Sequence, residues 1–297
     1  MKCCLIGSTL KHSYSPPIHA LLSRGAYSYD LVELHEREVG AFVRSGKYDA
    51  FNVTIPYKKT VIPFLDILDE SAEAIGAVNT VVKRGDKLVG YNTDFFGFRY
   101  LLTSSNVSAE VKARQDMLSD GACAEKTRRD IFGGIFAEVK ARRDISDGIS
   151  AEGKTVVLLG DGGTAATVKA VLTSLGAKEI LIVSRRGAIN YENYAEYCGG
   201  AQILINTSPV GMFPKSGECL VSLDAFPCLT DVADVVYNPL VTKLGFLAAE
   251  KGIPYFGGLK MLVAQAKYAK SLFLNNAECV FNAECRMQNA EYFLNAE

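Results

Sequence analysis

Histidine is scarce in this chain of 297 residues, and it occurs only at His12, His19 and His35. None of the eight cysteines belongs to a Cys-x-x-Cys pair, and no cysteine pair is matched to a histidine pair. Structural zinc sites are built from such closely spaced ligands. We therefore expect no metal site, and we expect the reduced thiols that are typical of a cytosolic protein.

An excess of charge of one sign is also absent. The 32 lysines and arginines nearly balance the 33 aspartates and glutamates, which argues against a nucleic-acid binder with a broad basic face. No apolar stretch approaches the length of about 20 residues that a membrane helix needs. The apolar run in the opening segment MKCCLIGSTLKHS is too short for a signal peptide. We expect a cytoplasmic protein with no membrane or nucleic-acid partner.

The sequence does contain a regular alternation of strand and helix signals. Its length favours two domains, and its 48% hydrophobic residues fit a globular protein. The first hundred residues predict a mixed sheet with strands at 3–6, 27–34 and 51–55 and a hairpin of 77–82 and 88–91. Helices are predicted at 15–23, 36–44, 58–67 and 95–102, with Ser15 as the cap of the first and Pro16 at its first position.

The second half of the chain predicts a doubly wound parallel sheet. Its apolar runs at 155–159, 179–183, 203–205, 232–236 and 254–256 alternate with helical patterns at 164–175, 240–251 and 261–273. Parallel strands joined by helices produce this arrangement. The predicted fold class is therefore α/β, with two domains and a cleft between them.

Two repetitive segments interrupt this pattern. Imperfect copies of one unit begin at Ala109, Ala124 and Ala137, and the flanking sequence reads through when 109–150 is removed. We interpret residues 104–150 as an inserted tract, either a flexible or short-helical excursion or a docking module. The tail at 276–297 carries four Asn-Ala-Glu triplets, for which helix continuation or fraying is the simplest interpretation.

A glycine-rich turn follows the first strand of the second half. Gly160, Gly162 and Gly163 lie between a buried strand and a helix, where glycines allow a pyrophosphate to approach the helix N-terminus. An ordinary tight turn is the alternative. Ser184, Arg185 and Arg186 end the next strand, where an NAD site usually has an acidic residue. The guanidinium group of arginine can pair with a 2′-phosphate, so the pattern favours NADP as the cofactor. The alternative is that the two arginines are simply solvated at the surface.

Polar residues cluster at strand ends and a helix start in the first half. Ser13 and Ser15 lie at the start of a predicted helix, where hydroxyl and N–H groups can bind a small carboxylate. The alternative, an ordinary N-cap, would explain Ser15 but not Ser13. The remaining polar residues lie at or just beyond predicted strand ends or, for Asn79, within a strand: Asn52, Thr54, Lys58, Asn79, Asn92, Thr93 and Asp94. A lysine near an aspartate in a cleft can exchange a proton with an alcohol. A surface polar cluster is the alternative for each motif.

Together these segments resemble the shikimate dehydrogenase family. The matching stretches occur in family order and cover nearly the whole chain outside the tract and the tail: HSYSP, FNVTIPYKK, IGAVNTV, GYNTDFFGF, GDGGTA, VSRR, NTSPVGM, DVVYNP and GGLKMLVAQA. The resemblance implies a substrate and catalytic domain over 1–103, to which the helix at 259–275 returns. It also implies a Rossmann-like NADP domain over 151–258.

The resemblance also assigns roles to individual residues. It implies that Lys58 and Asp94 are the catalytic pair. Residues implied to bind the substrate carboxylate and ring hydroxyls are Ser13, Ser15, Asn52, Thr54, Asn79, Tyr237 and Gln265. Residues implied to bind NADP are Gly160, Asp161, Gly162, Gly163, Thr164, Ser184, Arg185, Arg186, Thr207, Met212 and Gly258. Asp161 stands where the family usually has a small residue, and its charge is expected to weaken cofactor binding.

The activity implied by the resemblance is the reversible, NADP-linked reduction of 3-dehydroshikimate to shikimate by a monomer or homodimer. Two alternatives are a quinate/shikimate dehydrogenase that uses NAD and a ligand-binding regulator that has lost turnover. The presence of both Lys58 and Asp94 argues against the regulator, because binding alone does not require a proton-transfer pair.

Overall fold

The computed structural model describes residues 1–11, 13–104 and 148–274. The C-terminal tail and all of the repeat tract between Ser104 and Gly148 lie outside the described residues, as does His12. Within the described residues the strands form two separate sheets, one mixed and one parallel, as the sequence predicts.

The first sheet has six strands in the order β2-β1-β3-β5-β6-β4. They are β1 (Lys2–Gly7), β2 (Ser28–Glu33), β3 (Ala50–Val53), β4 (Ile67–Leu68), β5 (Thr80–Arg84) and β6 (Lys87–Tyr91). Strand β1 pairs in parallel with β2 and β3, whereas β3, β5 and β6 are antiparallel neighbours. The helices of this half are α1 (Ser15–Ser23), α2 (Val39–Arg44), α3 (Glu70–Ile75) and α4 (Asp94–Thr103).

The second sheet is parallel throughout, in the order β11-β10-β9-β7-β8. Its strands are β7 (Thr155–Leu159), β8 (Glu179–Val183), β9 (Ile203–Asn206), β10 (Asp231–Asp234) and β11 (Tyr255–Gly257). Its helices are α5 (Gly163–Ser174), α6 (Tyr194–Tyr197), α7 (Lys243–Glu250) and α8 (Leu259–Phe273). Central strand β9 is buried along its whole length, as expected where helices cover both faces. Among these described helices, none is long and apolar enough to cross a membrane.

Three local predictions are wrong. The helix predicted at 58–67 is instead a series of turns and a short 3-10 helix at Ile62–Phe64, because Pro63 interrupts the helical pattern. Ser15 is the first residue of α1 rather than its cap, and the Ser13 hydroxyl accepts the Ser15 N–H at 3.2 Å. Asn79 lies just before β5, not within it.

Helices α4 and α8 join the two halves. Gly97 allows their close approach, since a Cβ at this position would lie 2.6 Å from the Met261 carbonyl oxygen. The outer face of α4 packs Phe98 and Leu101 against strands of the parallel sheet. The far end of α8 packs against the mixed sheet, where Arg84 donates a hydrogen bond to the Leu272 carbonyl at 2.6 Å.

The last residues of the interpreted repeat tract belong to this junction. Ile149 is only 3% exposed and packs in the same apolar cluster as α4. Gly148 lies so close to the Leu102 backbone that a side chain there would collide with it. The chain therefore re-enters the described core beside the point where α4 ends.

Candidate active site

The Lys58 ammonium and the Asp94 carboxylate form an ion pair of 2.6 Å between Nζ and Oδ2. Their side chains are only 13% and 9% exposed, respectively. A charged pair that is shielded from water in this way interacts more strongly than a surface pair. The structure thus brings the two predicted proton-transfer residues into direct contact.

The local backbone explains how this contact is made. Lys58 lies in the turn that follows β3, where the neighbouring Tyr57 is buried and donates its hydroxyl to the Leu34 carbonyl at 2.5 Å. The Lys58 carbonyl accepts the Val78 N–H at 2.8 Å. Asp94 is the first residue of α4, and a carboxylate is favoured at a helix N-terminus.

Beside the ion pair lies a buried network of side-chain amides and hydroxyls. Asn79 Oδ1 accepts the Thr93 N–H at 2.7 Å, and Asn79 Nδ2 donates to Thr93 Oγ1 at 2.9 Å. Asn52 Nδ2 donates to Thr80 Oγ1 at 2.9 Å, and Thr93 Oγ1 reaches Gln265 Oε1 at 3.3 Å. Asn52, Asn79 and Gln265, three of the residues predicted to bind substrate, therefore belong to one hydrogen-bonded network.

The segment at the start of α1 contacts the second half of the chain. The ring of Tyr14, between the two serines, lies 5.3 Å from the Tyr237 ring, centroid to centroid. Burial raises the pKa of Tyr237, and a hydrogen bond from the Ser13 side chain opposes this rise. Ser15 is buried, whereas Thr54 is half-buried and donates its backbone N–H to the Ile6 carbonyl at 3.0 Å.

The glycine turn between β7 and α5 has the geometry of an anion-binding site. Gly160 has a φ of 112°, which disfavours other residues, and a Cβ built on Gly162 would meet nothing within 4 Å. The N-cap residue of α5 is Gly162, which has no side chain to cap the first N–H groups of this helix, and Thr164 follows in its first turn. A Cβ on Gly163 would lie 3.8 Å from Lys58 Cδ, which places this turn next to the ion pair.

The residues predicted to recognise the adenosine lie at the end of β8. Ser184 is 4% exposed, whereas Arg185 and Arg186 are both exposed. Burial raises the pKa of nearby Tyr191; the charge of Asp161 adds to this rise, and that of Arg185 opposes it. Asp161 and Arg185 therefore act on the same phenol, and the carboxylate lies close to the predicted phosphate site.

The other predicted cofactor residues lie on loops at the carboxyl edge of the parallel sheet. Thr207 donates its hydroxyl to the Leu159 carbonyl at 2.9 Å, Met212 is 43% exposed, and Gly258 precedes α8 in close contact with Val235. These loops converge on Asp234, which is fully buried. Its carboxylate accepts hydrogen bonds from Asn206 Nδ2 at 3.0 Å, the Val236 N–H at 2.9 Å and Thr242 Oγ1 at 2.7 Å.

Four residues received no individual role from the sequence, although the structure places them in hydrogen-bond networks and Thr93 stood among the polar residues at strand ends. They are Tyr29, Thr80, Thr93 and Asp234. Thr93 and Asp234 stand within the recognised stretches GYNTD and DVVYNP, so the signal was present for both. The hydroxyls of Tyr29 and Thr80 lie on predicted strands, where such residues are ordinary, and only their packing reveals them.

Comparison with known proteins gives one consistent group of relatives. A family model described as the shikimate dehydrogenase substrate binding domain matches residues 5–81. The shikimate dehydrogenase (NADP(+)) of Clostridium beijerinckii is 30% identical, with 96% of this chain and 93% of that protein covered. Its counterpart from Caldanaerobacter subterraneus subsp. tengcongensis is 32% identical, with 89% and 88% covered.

Solved structures agree with this grouping. A chorismate mutase/shikimate 5-dehydrogenase fusion protein from Clostridium acetobutylicum superimposes with a TM-score of 0.71 at 26% identity, covering 98% of this chain and 96% of that one. A shikimate 5-dehydrogenase from Listeria monocytogenes, in complex with shikimate and NAD, gives a TM-score of 0.65 at 25% identity, covering 92% and 91%.

Proposed function

This chain belongs to the shikimate dehydrogenase family, and we propose that it catalyses the reversible, NADP-linked interconversion of shikimate and 3-dehydroshikimate. The observation that carries this proposal is the shielded contact between Lys58 and Asp94, at 2.6 Å, beside the glycine turn. A dehydrogenase needs a proton-transfer group next to the cofactor, and a binding protein does not.

The chemistry assigned to this pair is proton transfer at the alcohol oxygen. In the reductive direction the Lys58 ammonium donates a proton to the ketone oxygen, and in the oxidative direction the neutral amine form of Lys58 accepts the hydroxyl proton as the carbon–hydrogen bond breaks. Asp94 orients the lysine side chain through their hydrogen bond. A properly placed acid–base group of this kind contributes roughly 10²–10⁴-fold to the rate.

The polar residues around this pair suit a small hydroxylated acid. We assign the carboxylate to Ser13 and Ser15 at the start of α1. The ring hydroxyls are assigned to a second set: Asn52, Thr54, Asn79, Tyr237 and Gln265. The amides of Asn52 and Asn79 already make hydrogen bonds within the buried network, so their orientation is fixed before substrate arrives.

The residues of the second half fit a phosphorylated dinucleotide. The open glycine turn and the uncapped α5 N-terminus would bind the pyrophosphate, and Ser184, Arg185 and Arg186 would bind the 2′-phosphate. Thr207, Met212 and Gly258 would line the nicotinamide end. Bound there, the nicotinamide cofactor would supply reversible hydride transfer at the alcohol carbon.

The direct test is the formation of NADPH, followed by absorbance, from shikimate and NADP with the full chain. Shikimate should be oxidised, and quinate under the same conditions should react far more slowly. Tight binding of shikimate without NADPH formation would instead identify a ligand-binding regulator on the same fold.

A second candidate uses NAD in place of NADP. Asp161 is the observation that favours it, because its carboxylate and Arg185 both act on Tyr191, and a negative charge in this region opposes the binding of a 2′-phosphate. The similar Listeria monocytogenes structure contains NAD. The ratio of kcat/KM for NADP to that for NAD, each measured with shikimate and with quinate, separates the two candidates.

We place this reaction in the cytoplasm. The described cysteines Cys3, Cys4, Cys198, Cys219 and Cys228 are all free, as expected for a reducing compartment. Action as a monomer or homodimer stays a prediction, which light scattering of the purified chain would test.

A further inference from the structure

We infer that Tyr29 is a substrate-positioning residue, whose hydroxyl links the carboxylate end of the substrate site to its ring-hydroxyl end. This inference rests on the proposed function, because it takes Ser15 and Asn52 as the two substrate contacts that Tyr29 joins. Tyr29 lies on β2, outside every stretch on which the family resemblance was based.

The hydrogen bonds of Tyr29 carry the inference. Its hydroxyl donates to Asn52 Oδ1 at 2.6 Å, the shortest of the bonds that Asn52 makes through its side chain. The Ser15 side chain also acts on this phenol, since hydrogen bonding from Ser15 lowers the pKa of Tyr29 against the effect of burial. One hydroxyl group thus contacts residues of two different elements, α1 and β3, that face the same substrate.

The Tyr29 ring cannot easily turn away from this position. It stacks on the imidazole of His19, with a centroid separation of 3.9 Å and an interplanar angle of 5°. His19 is fully buried, and burial lowers its pKa to about 3, so the ring is neutral at physiological pH. Its Nδ1 lies 2.7 Å from the Tyr27 hydroxyl, and its Nε2 has no hydrogen-bond partner among the described residues.

The protonation state of Tyr29 fits the same role. Burial raises its pKa well above the ordinary value, so the phenol keeps its proton and remains a donor to Asn52. The Asn52 amide then has a defined direction, because Oδ1 faces Tyr29 while Nδ2 donates to Thr80. Removal of the Tyr29 hydroxyl would leave Asn52 Oδ1 without its donor and would remove the Ser15 contact at the same time.

The test compares Tyr29→Phe with the matched control Tyr27→Phe. Both changes remove one hydrogen-bonded phenol hydroxyl, and both rings pack beside His19, but the Tyr27 hydroxyl bonds to His19 rather than to Asn52. Michaelis constants for shikimate and NADP, kcat and the melting temperature are measured for each variant and for the unmodified chain. The loss of a buried hydrogen-bond partner is expected to raise the shikimate KM of Tyr29→Phe about tenfold.

Tyr27→Phe should show a comparable fall in melting temperature with a shikimate KM within about twofold of the parent, and both variants should keep the parent's KM for NADP. A native shikimate KM for Tyr29→Phe, or an equal rise in Tyr27→Phe, would overturn the positioning role while leaving the proposed function intact. An unmodified chain that forms no NADPH from shikimate would overturn both. Should Tyr29→Phe fail to fold, Thr80→Val removes the opposite partner of the same Asn52 amide and should also raise the shikimate KM.

Discussion

The two halves of the candidate site are built on different principles. On the substrate side, the polar groups are side chains that are buried and bonded to one another, as with Asn52, Asn79 and Thr93. On the cofactor side, the corresponding surface is an open glycine turn with two exposed arginines. The substrate half therefore specifies its ligand with oriented side chains, whereas the cofactor half offers backbone N–H groups and charge.

This difference predicts how each half responds to change. A substitution in a buried, interconnected network disturbs several partners at once, and its effects on neighbouring residues are not additive. A substitution among exposed charges changes affinity for one part of the ligand and leaves the fold alone. Lys58 stands where the two halves meet, and we expect the largest single effect there.

Lys58→Ala should lower turnover by roughly 10²–10⁴-fold, because it removes the proton-transfer group and leaves Asp94 without its partner. Affinity for NADP should be almost unchanged, since the cofactor contacts lie in the other half. Turnover is measured by NADPH formation, and NADP affinity by fluorescence titration. The adjacent, exposed Lys59 provides the control, since Lys59→Ala should retain parental rates. Near-native turnover in Lys58→Ala would remove the pair from the chemistry.

Arg185→Ala should raise the KM for NADP about ten- to hundredfold, because a charge-assisted hydrogen bond is worth about 1.5–3 kcal/mol. The KM for NAD, which lacks the 2′-phosphate, should change little. Lys178→Ala removes an exposed cation just before the opposite end of β8 and serves as the control. Equal effects on the two cofactors would show that Arg185 is an ordinary surface residue, and the contrast between the halves would then rest on the glycine turn alone.

The predicted strand boundaries are correct where neighbouring residues in the sequence determine the structure. Strands β7 and β8 begin and end at the predicted residues, because each is a continuous apolar run bounded by turn residues. It failed at 58–67, where the helical spacing of apolar residues is overridden by Pro63 and by the pairing of β4 with β6. Tyr29 and Asn52 are far apart in the sequence, and no local sequence pattern predicts the hydrogen bond between them.

The cofactor half also contains buried polar residues, among them the fully buried carboxylate of Asp234. Burial raises its pKa to about 7 although three donors oppose the rise. A raised pKa means that the folded protein binds this proton more tightly than the unfolded chain. The resulting stabilisation is fully present below about pH 3.8 and is lost as the pH rises through about 7.

Asp234→Asn cannot titrate, so the unmodified chain should lose stability relative to this variant as the pH rises from about 4 to about 7. The expected slope is on the order of 1 kcal/mol per pH unit, with no further change above that range. Urea unfolding at several pH values measures the difference. A difference that does not vary with pH would mean that Asp234 is ionised throughout, because its three hydrogen bonds outweigh burial.

The smallest effect is expected from a change outside both halves, the removal of residues 109–147. None of the residues assigned to substrate or cofactor lies there, and the described chain re-enters at Gly148 against the backbone of Leu102. Residues 105–108 then remain to close a short connection, and loop-closure entropy changes by only about 0.6 kcal/mol for each twofold change in length. Turnover with shikimate and NADP should stay within several-fold of the parent.

A slightly longer deletion makes this prediction sharper. Removal of 109–150 also takes out Ile149, which is 3% exposed and packs with Phe98 and Leu102. The loss of a buried isoleucine costs about 2–5 kcal/mol, so this variant should melt at a distinctly lower temperature than the 109–147 deletion. Melting temperature and turnover are measured side by side for the two deletion variants, and they test whether residues 109–147 are a passive insert. If the shorter deletion already lowers either value severely, the removed residues contribute to the fold or to the relation between the two halves, and the interpretation of the tract as a passive insert is wrong.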